Sequence, residues 1–89
     1  MKQIILDGMK MHDEVGTQKY LKKALAAGDY YGENLDALYD ILTEITAPTR
    51  IVFINEAAAQ AQIGRYADKV ISVLRDAAKA NDVLLTERI

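Results

Sequence analysis

Cysteine is absent from the 89-residue chain, and histidine and proline occur once each. The absence of cysteine excludes a disulfide framework, a thiolate metal site and a catalytic thiol. The single histidine, His12, cannot by itself form a histidine-based zinc site. With 51% hydrophobic and 27% charged residues and only five glycines, the composition is typical of a folded globular chain and not of a disordered one.

Long hydrophobic runs are also missing from the sequence. No apolar segment approaches the roughly 18 residues that a membrane-spanning helix requires. Met1 and Lys2 lead directly into a short apolar segment without the pattern of a cleavable signal peptide. We therefore expect a cytoplasmic protein without membrane contact. Its length fits one domain over residues 1–89, near the size at which a single hydrophobic core becomes sufficient.

Positive charge is absent from one segment, because no Lys or Arg occurs from Ala24 to Thr49. The acidic residues of this segment are Asp29, Glu33, Asp36, Asp40 and Glu44. The segment thus carries a charge of −5, whereas the rest of the chain, with eleven basic and eight acidic residues, carries +3. A local negative field of this kind favours a basic protein partner. The chain lacks the basic footprint of a nucleic-acid-binding protein.

Three short apolar runs predict β-strands, at positions 3–6, 50–55 and 83–86. Helical patterns separate these runs, so the element order is β-α-α-β-α-α-β. Short apolar strands joined by helical crossovers favour a parallel sheet. The predicted fold class is therefore α/β, with a small three-stranded parallel sheet packed by about four helices.

Three segments have the periodicity of amphipathic helices, at about 13–27, 34–46 and 66–80, and the alanine-rich segment 56–62 suits a short helix. Asp13 and Asn34 are residue types that cap helix N-termini, and each stands directly before an apolar-periodic segment. Gly28 is a natural residue to end the first helix, because glycine readily adopts the left-handed conformation found there.

The second predicted helix has two chemically different sides. Its core side carries Leu35, Leu38, Leu42 and Ile45, with Ile41 at the margin. The opposite side carries acids at i, i+4 spacing, namely Asp36, Asp40 and Glu44, with Tyr39 and Thr43 beside them. Like charges at this spacing each cost roughly a few tenths of a kcal/mol. A helix selected only for stability would contain lysine on this side.

The residues alone leave two interpretations of the acidic side open. It is either a solvated surface, with Asp36 favourably placed near the helix N-terminus, or a protein-binding surface in which tyrosines lie among charges of one sign. An enzymatic role is disfavoured, because no nucleophile accompanies the acids and neither a calcium-binding loop nor a glycine-rich phosphate motif is present. We therefore expect no catalytic residue, cofactor or metal site.

The segment YYGENLDALYDIL, from Tyr30 to Leu42, closely resembles the signature of the barstar family, the intracellular inhibitors of barnase-type ribonucleases. The resemblance continues in YLKKALA before this segment, in Pro48 with the strand after it, and in VISVLRDAAKA, from Val70 to Ala80. It covers most of the chain. The fold that the resemblance implies is a three-stranded parallel sheet packed with helices, in agreement with the element order.

The resemblance also implies that the second helix and the preceding loop block the active-site cleft of a ribonuclease. The partner-binding residues carried over by position are Tyr30, Gly32, Asn34, Leu35, Asp36, Tyr39, Asp40, Thr43 and Asp76. Asp40 corresponds to the family's principal anchor, which takes the place of an RNA phosphate. Tyr39 stands where barstar has Trp, and Ala80 stands where barstar has an acid, so the aromatic area and the peripheral charge are smaller.

The leading hypothesis is a bacterial, cytoplasmic inhibitor that protects its host from a barnase-type ribonuclease by imitating RNA phosphates. One alternative is an immunity or regulatory protein of the same fold directed at another basic nuclease or toxin. A second alternative is a small acid- or metal-dependent enzyme that uses Asp36, Asp40 and Asp76. We expect the free protein to be monomeric, because repulsion among the acids opposes a symmetric contact through this surface.

Overall fold

Three strands and four helices make up the computed structural model, which describes all residues from 1 to 89. The elements are β1 (Lys2–Asp7), α1 (Glu14–Ala24), α2 (Leu35–Thr43), β2 (Thr49–Ile54), α3 (Glu56–Ile63), α4 (Arg65–Ala80) and β3 (Leu84–Arg88). A single 3-10 turn, Gly8–Lys10, follows β1. The predicted order of strands and helices is confirmed.

The three strands form one parallel sheet in the order β1-β2-β3. In register, Ile4 pairs with Ile51, and Ile51 pairs with Thr86. Because side chains alternate between the faces of a strand, one face supplies Ile4, Leu6, Ile51, Phe53 and Leu84 to the hydrophobic core. On the other face, Ile5 and Leu85 are 43% and 47% exposed. The helices therefore pack against one face of the predicted parallel sheet.

The core side of α2 is buried as its periodicity predicts. Leu38 and Leu42 are fully buried, and α2 packs chiefly against α4, which contributes Val70, Leu74 and Ala77. Burying two leucines removes apolar surface from water, and each Å² buried stabilises the fold by about 25 cal/mol. This packing fixes the rotation of α2 about its axis.

None of the four helices is both long and apolar enough to span a bilayer; the longest, α4, has 16 residues.

The first helix ends differently from the prediction, because its left-handed residue is Ala26 and not Gly28. Ala26 has a φ of 52°, and Gly28 has no positive φ. The Ala26 N–H donates to the Lys23 carbonyl at 3.2 Å, and the Ala27 N–H donates to the Lys22 carbonyl at 2.9 Å. These two bonds form a Schellman motif. They satisfy carbonyls in the last turn of α1, which ends at Ala24 and not at about position 27.

The second helix also ends earlier than predicted, at Thr43 and not at about position 46. Its C-terminal carbonyls are satisfied by a side chain from a distant part of the chain. The Asn81 amide donates to the Leu42 carbonyl at 3.0 Å and to the Ile45 carbonyl at 2.9 Å. Because helix ends need partners for their free carbonyls, this contact stabilises the termination of α2.

Replacing Ala26 with glycine is expected to stabilise the protein by about 1 kcal/mol, because glycine adopts a positive φ without the steric cost that alanine has there. Urea unfolding measures the change. Ala61→Gly is the matched control, because Ala61 is an exposed residue inside α3. This substitution should lower the unfolding free energy by about 0.5–1 kcal/mol. Equal destabilisation by both substitutions would contradict the assigned helix end.

Candidate partner-binding site

The entrance of α2 is held by its N-cap, as the sequence predicts. The Asn34 Oδ1 accepts a hydrogen bond from the Ala37 N–H at 2.7 Å, and the Asn34 amide donates to the Gly32 carbonyl at 3.3 Å. Glu33 between them has a φ of 53°. A Cβ on Gly32 would lie 3.3 Å from the Asn34 Nδ2, a tight contact. Gly32 and Asn34 therefore shape the backbone that leads into the acidic side of α2.

The two acids of α2 and the acid at its C-cap are exposed and have no basic partner within the chain. Asp36, Asp40 and Glu44 take part in none of the four ion pairs of the structure. The two acids of the preceding loop differ, because lysines of α1 reach them. Lys19 lies 3.6 Å from Glu33, and Lys22 lies 3.6 Å from Asp29. The negative charge left without a counter-charge is therefore concentrated on α2.

Aromatic and polar groups border these acids. Tyr39 is 38% exposed, and Tyr30 is 76% exposed with its ring against Gly28. The Thr43 hydroxyl donates to the carbonyls of its own helix, at 3.0 Å to Tyr39 and 3.1 Å to Asp40. Leu35 is half-buried against the core. The two tyrosines thus expose apolar surface within the acidic segment, and aromatic rings among charges of one sign are typical of protein–protein interfaces.

Asp76 is the one predicted binding residue outside this segment. It lies on the exposed side of α4, the helix against which α2 packs, and it forms no ion pair. Eight of the nine predicted residues therefore come from α2 and the loop before it, and the ninth comes from the neighbouring helix. Their role in binding stays a prediction.

The second tyrosine of the segment, Tyr31, points into the protein. It is 4% exposed, and its hydroxyl donates to the Oε1 of Gln18, which is 2% exposed. The Gln18 amide donates in turn to the Tyr66 hydroxyl at 2.7 Å. Burial, followed by the nearby Tyr66 and Glu33, raises the pKa of Tyr31 to about 12.

The three residues of this group are not among the predicted site residues. One signal was present, since Gln18 lies three residues before the buried Leu21 and so occupies the core side of α1. A polar residue at such a position needs a hydrogen-bonding partner when it is buried. The partners are 13 and 48 residues away in sequence, so the local pattern does not reveal them.

Residues 1–86 match the family model described as "Barstar (barnase inhibitor)". A protein of Bacillus subtilis (strain 168) that bears the name "Putative ribonuclease inhibitor YrdF" is 38% identical over 78 residues, which cover 86% of each chain. The chain belongs to the barstar family. The resemblance in the segment from Tyr30 to Leu42 is thereby confirmed, as is the barstar-like α/β fold.

The barstar-family segment of this chain divides into inward and outward groups. Tyr31, Leu38 and Leu42 are buried and hold the loop and α2 in place, whereas Tyr30 and Asp40 face the solvent. Nowhere do three or more His, Asp or Glu side chains come together in an arrangement able to hold a metal ion. What the outward groups offer is a fixed set of hydrogen-bond acceptors and aromatic rings.

Tyr31 is expected to be the last tyrosine to deprotonate in an alkaline absorbance titration, and Tyr31→Phe should remove that last phase. Its pKa rises from 10.0 to about 12 on folding, so the folded state holds the proton more tightly. The resulting stability is present below pH 10.0 and is lost as the pH rises to about 12. Urea unfolding in this range should show a smaller decline for Tyr31→Phe. A wild-type titration without a late phase would contradict the burial of this hydroxyl.

Proposed function

We propose that this protein inhibits a barnase-type ribonuclease by covering its active site with α2 and the loop before it. The observation that carries the proposal is the set of exposed carboxylates on α2 and at its C-cap, namely Asp36, Asp40 and Glu44, which lack basic partners within the chain. They lie within or directly after the family segment of a chain that matches the barnase inhibitors. The missing positive charges would come from the enzyme.

Phosphate mimicry supplies the chemistry of this proposal. A ribonuclease active site collects cationic donors that bind phosphate and stabilise the charge of the transition state. The carboxylate of Asp40 accepts charge-assisted hydrogen bonds from several such donors at once. Because a carboxylate on a helix has no phosphodiester bond, the enzyme cannot cleave it. The carboxylates of α2 would therefore occupy the active site without turnover.

The rigidity of α2 favours tight binding. Its core side is anchored by Leu38 and Leu42, its N-terminus by Asn34 and its C-terminus by Asn81. Binding to a prearranged surface loses less conformational entropy than binding to a flexible one. The side of α2 that carries Asp36 and Asp40 is thus oriented before the enzyme arrives.

The unpaired charge also favours rapid encounter. A concentrated negative surface attracts a basic enzyme over distances of about 10 Å at moderate ionic strength and raises the association rate, as it does for barnase and barstar themselves. Mutual repulsion among the acids opposes a symmetric self-contact through this surface. The free inhibitor is accordingly proposed to be monomeric, non-enzymatic and located in the bacterial cytoplasm.

One observation favours a second candidate, an inhibitor of the same fold directed at a different basic nuclease or toxin. Tyr39 offers a smaller aromatic surface than the Trp of barstar, and the exposed Ala80 carries no charge. A partner with a smaller or less basic rim around its active site would suit this surface better. Inhibition titrations against several basic nucleases distinguish the two candidates, since only the preferred enzyme should be inhibited at stoichiometric concentration.

Asp40→Ala is expected to weaken inhibition of a barnase-type ribonuclease at least a hundredfold, about 3 kcal/mol, because the substitution leaves enzyme cations buried without a counter-charge. An activity titration with increasing inhibitor measures the change. Asp82→Ala is the matched control, because Asp82 is an exposed acid outside the proposed surface and forms no ion pair.

The unfolding free energy of Asp40→Ala should stay within about 0.5 kcal/mol of wild type, since removal of one like charge at i, i+4 slightly favours the helix. The proposal is contradicted if Asp40→Ala and Asp82→Ala inhibit equally well. It is also contradicted if the wild-type protein inhibits no barnase-type enzyme.

A further inference from the structure

Three side-chain contacts join the loop between α1 and α2, residues 25–34, to α1. The three contacts are Lys22 with Asp29 at 3.6 Å, Gln18 with Tyr31, and Lys19 with Glu33 at 3.6 Å. The loop carries Tyr30 and Gly32, two of the residues proposed to contact the ribonuclease. Its conformation therefore decides how these two residues are presented.

Only the middle contact is buried. The two ion pairs lie at the surface, where the Lys19 side chain is 68% exposed and the Asp29 side chain is fully exposed. Exposed ion pairs contribute little to stability. Gln18 and Tyr31 are 2% and 4% exposed, and a hydrogen bond lost between them would leave buried polar groups without partners. The contact between Gln18 and Tyr31 is thus the one that fixes the loop.

The orientation of the Gln18 amide depends on α4. A glutamine side chain presents an acceptor at one end and a donor at the other. The Tyr66 hydroxyl accepts the hydrogen bond from the Gln18 amide nitrogen at 2.7 Å, and this leaves the amide oxygen directed at Tyr31. Three separate parts of the chain, α1, the loop and α4, meet in these two hydrogen bonds.

We infer that Gln18, oriented by Tyr66, is a positioning residue that holds the loop between α1 and α2 in the conformation of the binding surface. With Tyr31 bound inward, its neighbour Tyr30 is held outward at 76% exposure. A loop that is already ordered loses little conformational entropy when a partner binds. The effect on affinity rests on the proposed function, whereas the effect on loop order is a property of the free protein.

Amide hydrogen exchange in the free protein tests the effect on loop order. Gln18→Met keeps the side-chain length and removes both hydrogen bonds of Gln18, whereas Tyr66→Phe removes only the hydrogen bond between Gln18 and Tyr66. In both variants the Tyr31 N–H, which donates to the Gly28 carbonyl at 3.0 Å, should exchange about tenfold faster relative to the amides of β2. Gln62→Met is the matched control, because Gln62 is an exposed glutamine on α3. Unchanged loop protection in both variants would overturn the inference.

The reference to β2 separates a loosened loop from a loss of global stability, because exchange in the central strand reports unfolding of the whole domain. Faster exchange of the loop and of β2 by the same factor would indicate a purely structural role for Gln18 and would overturn the inference. If Gln18→Met does not fold, Tyr66→Phe decides the question, since the Tyr66 side chain is only half-buried.

Affinity for a barnase-type ribonuclease tests the consequence for binding. At a temperature where every variant is folded, Gln18→Met and Tyr66→Phe should each raise the dissociation constant about tenfold, because the loop must be ordered on binding. Gln62→Met should leave it unchanged. A loosened loop with unchanged affinity would contradict the positioning role. If the wild type does not bind the enzyme, the proposed function fails, and the exchange experiment still decides whether Gln18 and Tyr66 order the loop.

Discussion

The packing of the leucine side of α2 against α4 is the constraint on which the site depends. Leu38 and Leu42 are fully buried, whereas the opposite, polar side of this amphipathic helix lies in solvent. The carboxylates of Asp36 and Asp40 therefore point outward for the same reason that the leucines point inward. Under the proposed function, stability and binding would use different sides of one short helix, and a substitution on either side would act mainly on its own property.

The charge distribution follows from this division of the helix. Lysines of α1 approach the two loop acids, but none approaches the acids of α2. Repulsion at i, i+4 spacing makes this arrangement slightly unfavourable for the free protein. A cationic partner would be attracted by the same carboxylates and would reduce the repulsion among them. The loop acids thus have basic partners within the chain, whereas the helix acids have none.

The parts of the structure that depend on local pattern were predictable. The order of strands and helices along the chain, the Asn34 cap and the two sides of α2 follow from hydrophobic periodicity and capping chemistry. The early ends of α1 and α2 were not predictable. Alanine rarely adopts the positive φ that Ala26 has, and the Asn81 side chain that binds the end of α2 is distant in sequence. The Gln18–Tyr31 hydrogen bond likewise joins residues 13 positions apart. Hydrogen bonds between distant residues leave no periodic signal, so a single sequence does not disclose them.

The most direct test of the central claim is a map of the surface that the ribonuclease covers. Isotope-labelled protein is titrated with an unlabelled, catalytically inactive barnase-type enzyme, and amide chemical shifts are followed residue by residue. The account predicts that the largest changes lie in residues 30–44, with a second group around Asp76. Largest changes on the open face of the sheet, around Ile5 and Leu85, with α2 unaffected, would contradict it.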